Sequence, residues 1–325
     1  MNWRDRKISG CLLFLFFSLL LISCQSAVNS HQKGEIPVSE KEDIYRQAIN
    51  KGYLWLDLHP VGFEDGGCLA ILEEIIAFHF LRNKTDDITL KNNYLDEIRK
   101  RMDLIALKED FKVLPKEYTV FLTVTKIAER LGIHPAYFRK IVEDQLISSP
   151  LLYSENMTNN IWNTLYLERL GYDPPTDLEI LMSQSIIRQE LEKRFILQLV
   201  NSPINPDYVN PMTLTLYYLT HEIFCLTDFG ELPPPSIITN NQAFFSEFFD
   251  KTIQWSIAIG HTDLLAELIM NVKMLELKDV PSFQQGVEFI LSRQEDNGSF
   301  GITNPTLPNI YRHGVLVSIM ALSMV

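Results

Sequence analysis

Cysteine is scarce in this chain: there are four in 325 residues, none in a CxxC pair, and no HExxH segment occurs. These absences exclude the common zinc-site spacings. Basic residues are also in deficit. The 29 Lys and Arg face 41 Asp and Glu, a formal charge of −12. Such a surface excludes nucleic acid as the expected partner and argues against electrostatic docking on anionic lipid. A membrane span is missing too: the apolar run Cys11–Ile22 falls short of the roughly 20 residues that a spanning helix needs. Strand signals are few. Thr119–Thr125 is β-branched, but it sits between helix formers.

What is present begins at the N-terminus. Arg4, Arg6 and Lys7 precede the apolar run, which ends in Leu21-Ile22-Ser23-Cys24. A basic start and a short apolar stretch define a secretory signal. Its ending resembles the lipobox of bacterial lipoproteins: a branched apolar residue, a small residue and a cysteine. The resemblance implies that Cys24 carries a diacylglycerol, that the chain is cut before it, and that the mature protein hangs from a membrane of the cell envelope, facing out of the cytoplasm. Gln25, where an aspartate retains many such proteins at the inner membrane, leans toward the outer membrane of a Gram-negative cell. Loss of residues 1–23 takes the formal charge from −12 to −14. No polybasic patch remains, so retention rests on the acyl chains. Residues 24–38 form the lipidated cysteine and a polar, aperiodic tether. Residues 39–325 form one all-helical domain. Its two cysteines, Cys68 and Cys225, lie in apolar helical patterns and are expected as buried free thiols, a disulfide or metal ligation being the alternatives.

Helical periodicity runs through the domain. It predicts helices over 41–59, 66–82, 88–107, 117–131, 135–148, 158–170, 176–200, 211–226, 240–258, 261–276, 282–293 and 311–325. Pro and Gly punctuate the breaks. The class is all-α. Twelve helices make about six hairpins, the number an α/α toroid needs to close; an open helical-repeat solenoid is the alternative. The segment from Gly286 to Gly301, with Phe289, Gln294, Gly298 and Phe300, resembles the QW repeat of triterpene cyclases and related toroids, Phe300 standing for the tryptophan. That resemblance implies a helix-bracing role without chemistry: Gln294 bonds the open end of a helix, Gly298 permits the turn, and Phe300 packs back.

The known toroid chemistries each require residues that are missing. There is no Asp-x-Asp-Asp for a triterpene cyclase and no adjacent Cys-His pair for the zinc of a lanthionine cyclase. Gly66-Gly67-Cys68 runs into Leu69-Ala70, so a complement-type thioester is excluded. Protein prenyltransferases act in the wrong compartment, and no glycan lyase or hydrolase motif is evident. What remains are polar residues set in apolar helices. His221 and Asp228 stand two helical turns apart, so both can face one side. Gly260-His261-Thr262-Asp263 opens a helix, as does Tyr311-Arg312-His313-Gly314. His59-Pro60 and Glu64-Asp65-Gly66-Gly67 precede a helix bearing Glu73, Glu74 and His79. An imidazole held by a carboxylate is the usual general base, and two or three histidines can hold a metal. The candidate catalytic residues are therefore His221, Asp228, His261, Asp263 and His313; the candidate metal ligands are His221, His261 and His313. Plainer roles compete with each: a helix-terminal charge for Asp263, a satisfied core histidine for His221, a helix C-terminal cap for Asp228. The pattern supports a lipid-anchored protein that binds a small molecule or a protein through a toroid cavity or face, with an envelope hydrolase or lyase as the alternative. It names no cofactor.

Overall fold

The computed structural model describes residues 38–63, 68–153, 156–301 and 308–325. Cys24, the signal and nearly all of the tether lie outside the described residues, as do Glu64-Asp65-Gly66-Gly67. The fold is all-α. Among the described residues the only β-type pairing given is an isolated antiparallel bridge between Gln294 and Phe300. The helices are α1 (Val38–Leu58), α2 (Cys68–Lys84), α3 (Ile88–Ala106), α4 (Tyr118–Leu131), α5 (Pro135–Ile141), α6 (Met157–Arg169), α7 (Leu178–Met182) and α8 (Ile186–Lys193). They continue as α9 (Phe195–Val200), α10 (Pro206–Thr227), α11 (Ser236–Thr239), α12 (Gln242–Ile259), α13 (Thr262–Met274), α14 (Phe283–Ser292) and α15 (Pro308–Leu322).

Local chemistry sets the boundaries. Asp87 caps α3 by accepting the N–H groups of Thr89 and Leu90, and Gly132 ends α4 in the left-handed conformation at φ 67°. The Thr-rich stretch in α4 is helical because the Thr123 and Thr125 hydroxyls donate back to the carbonyls of Thr119 and Phe121, a local bond that a helix tolerates. The segment 176–200, expected as one helix, is three. Ser185 caps α8. Arg194 takes φ 51°, and the Glu190 carboxylate accepts the N–H groups of Ile196 and Leu197 at 2.8 and 2.9 Å. These caps compete with helix continuation and interrupt a periodic pattern at two points.

The helices are ordered around a ring. α2 packs on α4, α4 on α6, α6 on α10, α10 on α13, α13 on α15, and α15 returns to α2. α3 lies against α2, α12 and α14 against α13, and α1 against α15. The last helix thus touches both of the first two. The ring members α2 and α13 are buried on nearly every side, as a helix surrounded by protein must be.

The Gly286–Gly301 motif fastens this closure. The Gln294 side-chain amide donates to the carbonyl of Ala48 at 2.8 Å, so it bonds the interior of α1 and not an open helix end as expected. Phe300 is buried and packs near Gly52 of α1. Gly298, at φ 94°, sits so close to the Lys51 carbonyl that a Cβ would collide with it. Phe289, on α14, is only half-buried, under the Arg293 guanidinium. Cys68 and Cys225 are free and buried, and burial pushes both thiols up in pKa.

Candidate functional site

Glu267 of α13 gathers two of the candidate histidines. His221 Nε2 from α10 lies 3.5 Å from its Oε1, and His313 Nε2 from α15 lies 3.4 Å from the same oxygen. The other oxygen accepts the Thr220 hydroxyl at 2.5 Å. One turn earlier on the same helix face, Asp263 accepts the Tyr217 hydroxyl and stands 3.8 Å from His313 Nε2. His313 Nδ1 faces Glu73 of α2 at 3.5 Å. Helical spacing builds both halves: Asp263 and Glu267 are four residues apart, as are Tyr217 and His221. The imidazoles of His221 and His313 are each about a third exposed, whereas Glu267 is fully buried.

Burial works against charge on both members of this cluster, and the partners outweigh it. Glu267 is held below the usual carboxylate range by His221 and His313. His313 is opposed by desolvation, yet Asp263, Glu73 and Glu267 hold its pKa well above the ordinary imidazole value. Burial, then Asp263, raises Tyr217, which stays a neutral donor. The pH dependence follows from the signs. The raised His313 contributes stability that is complete below about pH 6.5, the unfolded value, and is lost as pH rises through its folded value. Melting temperature should therefore decline over the alkaline side of neutrality, and His313→Gln should flatten that decline. A decline of equal slope in the variant would assign it to other groups.

His261 does not join Glu267. It is the N-cap of α13, its Nδ1 accepting the Leu264 N–H, and its ring lies 5.9 Å from that of Tyr217. Among the described residues no group of three or more His, Cys, Asp or Glu side chains is arranged to hold a metal ion.

Asp228 stands apart from the histidines, in a second cluster. It ends α10 in the left-handed conformation, and Asp228, Phe229 and Gly230 take φ of 50°, 57° and 79° in succession. Two consecutive non-glycine residues in this region are strained by roughly 1–2 kcal/mol each. The turn places the Asp228 carboxylate against the Lys126 ammonium, the Tyr166 hydroxyl at 2.7 Å and Arg169 Nη1 at 3.5 Å. Glu231, just beyond, accepts from Arg130 and from Asn83 at 2.7 Å, and lies 3.2 Å from His79 Nε2. All of these groups but Arg169 line a cleft of about 370 Å³ between the C-terminal parts of α2 and α4, Tyr166 of α6 and the turn after α10. Trp162 lies between the two clusters: its ring is 5.8 Å from that of His221 and 5.8 Å from that of Phe229, and its indole N–H donates to Thr123 in the cleft wall.

Arg312, near the start of α15, is buried. It donates to Glu74 of α2 and to the carbonyls of His59 and Leu56 at the end of α1. Sequence reasoning missed Lys126, Tyr166, Arg130, Arg169 and Glu231 as members of a site, and it missed Glu267 as the meeting point. Two of them carry a readable signal. Glu267 stands alone in Leu264-Leu265-Ala266-Glu267-Leu268-Ile269-Met270, and Lys126 follows the apolar and Thr-rich start of α4. A single charge in such a run must find a partner.

The fold and the two clusters define an all-helical chain with polar groups converging from helices far apart in sequence. The chain belongs to the family described as a domain of unknown function, DUF6895, whose pattern matches residues 70–304, more than half of the chain. The matched span holds His221, Asp228 and Glu267 and stops short of His313. No curated protein matches the chain, and no solved structure does.

Proposed function

We propose that this chain is a lipid-anchored protein of the bacterial cell envelope whose helices close into an α/α toroid and take up a small molecule. The observation that carries the binding reading is the 370 Å³ cleft with convergent polar groups at one end of the ring helices. That volume suits a small ligand, and a concave pocket with a few placed polar groups is the usual form of such a site. The cyclic order of helix contacts supports the toroid, and the Leu21–Cys24 motif supports the anchor.

Thermal unfolding of the soluble mature domain against a library of small molecules, anionic, neutral and cationic, tests the binding reading. A ligand at 100 times its Kd adds about 2.7 kcal/mol of stability. Asn83→Trp, at the exposed rim, should fill the mouth and remove the shift while the domain stays folded. Shifts that persist in Asn83→Trp would place the ligand elsewhere. The anchor is tested separately: Cys24→Ser should accumulate as unprocessed precursor or be released. Normal processing with membrane retention would end the lipoprotein reading.

The His221–Glu267–His313 arrangement favours a second reading, an envelope hydrolase or lyase. A buried carboxylate holding two partly exposed imidazoles can orient one as general base and keep the other as the charged acid. Unchanged turnover of envelope substrates by His221→Gln would retire it.

A further inference from the structure

We infer that the cleft takes a small organic dianion, a phosphate monoester or a dicarboxylate, held among Lys84, Lys126 and Arg130. The inference rests on the binding reading above and adds the chemical class of the ligand. In a chain of formal charge −12, four cations stand in or directly behind this cleft, Lys84, Lys126, Arg130 and Arg169, against two carboxylates, Asp228 and Glu231. Both carboxylates are already engaged. Asp228 takes Lys126 and Tyr166, with Arg169 at 3.5 Å; Glu231 takes Arg130 and Asn83, with His79 at 3.2 Å. Among the described residues no carboxylate pairs with Lys84, whose ammonium lies beside the Gly230 turn. Two positive charges are thus left without a counter-charge, the complement of a dianion.

Helix dipoles explain part of this arrangement. Lys84, Arg130 and Arg169 occupy the last turns of α2, α4 and α6, where about half a negative charge favours a cation. That effect fades within the turn, and Lys126 stands before it. Burial presses the Lys126 ammonium down to about 8; Glu231 pulls the other way, and the charges of Arg169 and Arg130 add to the lowering. A bound anion relieves that pressure. The strained Asp228–Phe229–Gly230 turn forms the facing wall, and backbone strain of this kind concentrates at ligand sites.

Titration calorimetry of the mature domain with glycerol phosphate, succinate and, as the matched neutral compound, glycerol tests the inference. Glycerol phosphate or succinate should bind, more weakly as ionic strength rises, and glycerol should not. Preference between the two anions separates phosphate from carboxylate recognition. Lys84→Gln and Lys126→Met should each weaken binding by about tenfold or more. Lys84 is exposed and free of ion pairs among the described residues, so Lys84→Gln should stay folded with only a small drop in melting temperature from the lost helix-end charge, and it keeps the test valid if Lys126→Met misfolds. Anions that bind no better than glycerol, or equally in Lys84→Gln, overturn the inference. If neutral or cationic library members bind and Asn83→Trp excludes them, the charge assignment fails and the cleft reading stands. If no compound of any charge binds, both fail.

Discussion

Glu74→Ala is expected to destabilise the domain by about 3–5 kcal/mol, the cost of removing one partner from a buried ion pair. Glu74 and Arg312 are each 1% exposed. The Glu74 carboxylate accepts from Arg312 on one oxygen and from Arg101 of α3 on the other. Arg101 is also held by Glu97, and Arg312 also donates to the carbonyls of His59 and Leu56. The alanine variant removes the Glu74 carboxylate from the buried guanidiniums of Arg312 and Arg101. Because Arg312 ties α15 to α1 and α2, the loss falls on the closure of the ring. Urea unfolding measures it directly. Glu74→Gln keeps one acceptor, its carbonyl oxygen, though its NH2 faces the other guanidinium, and it should lose less than the alanine variant. A loss under about 1 kcal/mol in Glu74→Ala would show that the network is hydrated and that its apparent burial overstates its weight.

Phe300→Ala should cost about 3–5 kcal/mol, the range for deleting a buried aromatic ring. Phe300 is 4% exposed and packs by Gly52 of α1, near Ile319 and Val315 of α15. Its removal empties the contact at which the first helix meets the last. Gly298→Ala should act on the same contact by the opposite route, by forcing a Cβ into the Lys51 carbonyl at a left-handed φ. Both variants should lower the urea midpoint, and both should do so without affecting a ligand shift measured below the transition. Near-native stability of Phe300→Ala would mean that α1 is held by its other contacts and that the motif does not brace the closure.

Much of the fold was legible because helices announce themselves locally. The boundaries predicted for α2, α3, α4, α6, α12 and α13 lie within a few residues of those observed. The failure at 176–200 has a specific cause: Ser185 and Glu190 offer side-chain caps, and apolar periodicity is blind to caps. Of the candidate site, His221, Asp263 and His313 were named and do come together. His261 was named and caps a helix. Asp228 was named beside His221, and the strained end of α10 carries it into the cleft, away from the histidines.

The residues by themselves determined the helical class, most helix ends and the set of polar side chains that an apolar helix must accommodate. Each of these depends on spacing along one axis and on the few residues at a helix end. Only the tertiary structure decided the partners. Glu267 meets His313 across 46 residues and Lys126 meets Asp228 across 102. Periodicity fixes the direction of a side chain relative to its own helix. Which helix stands opposite, and how each is rotated, is set by packing the whole core.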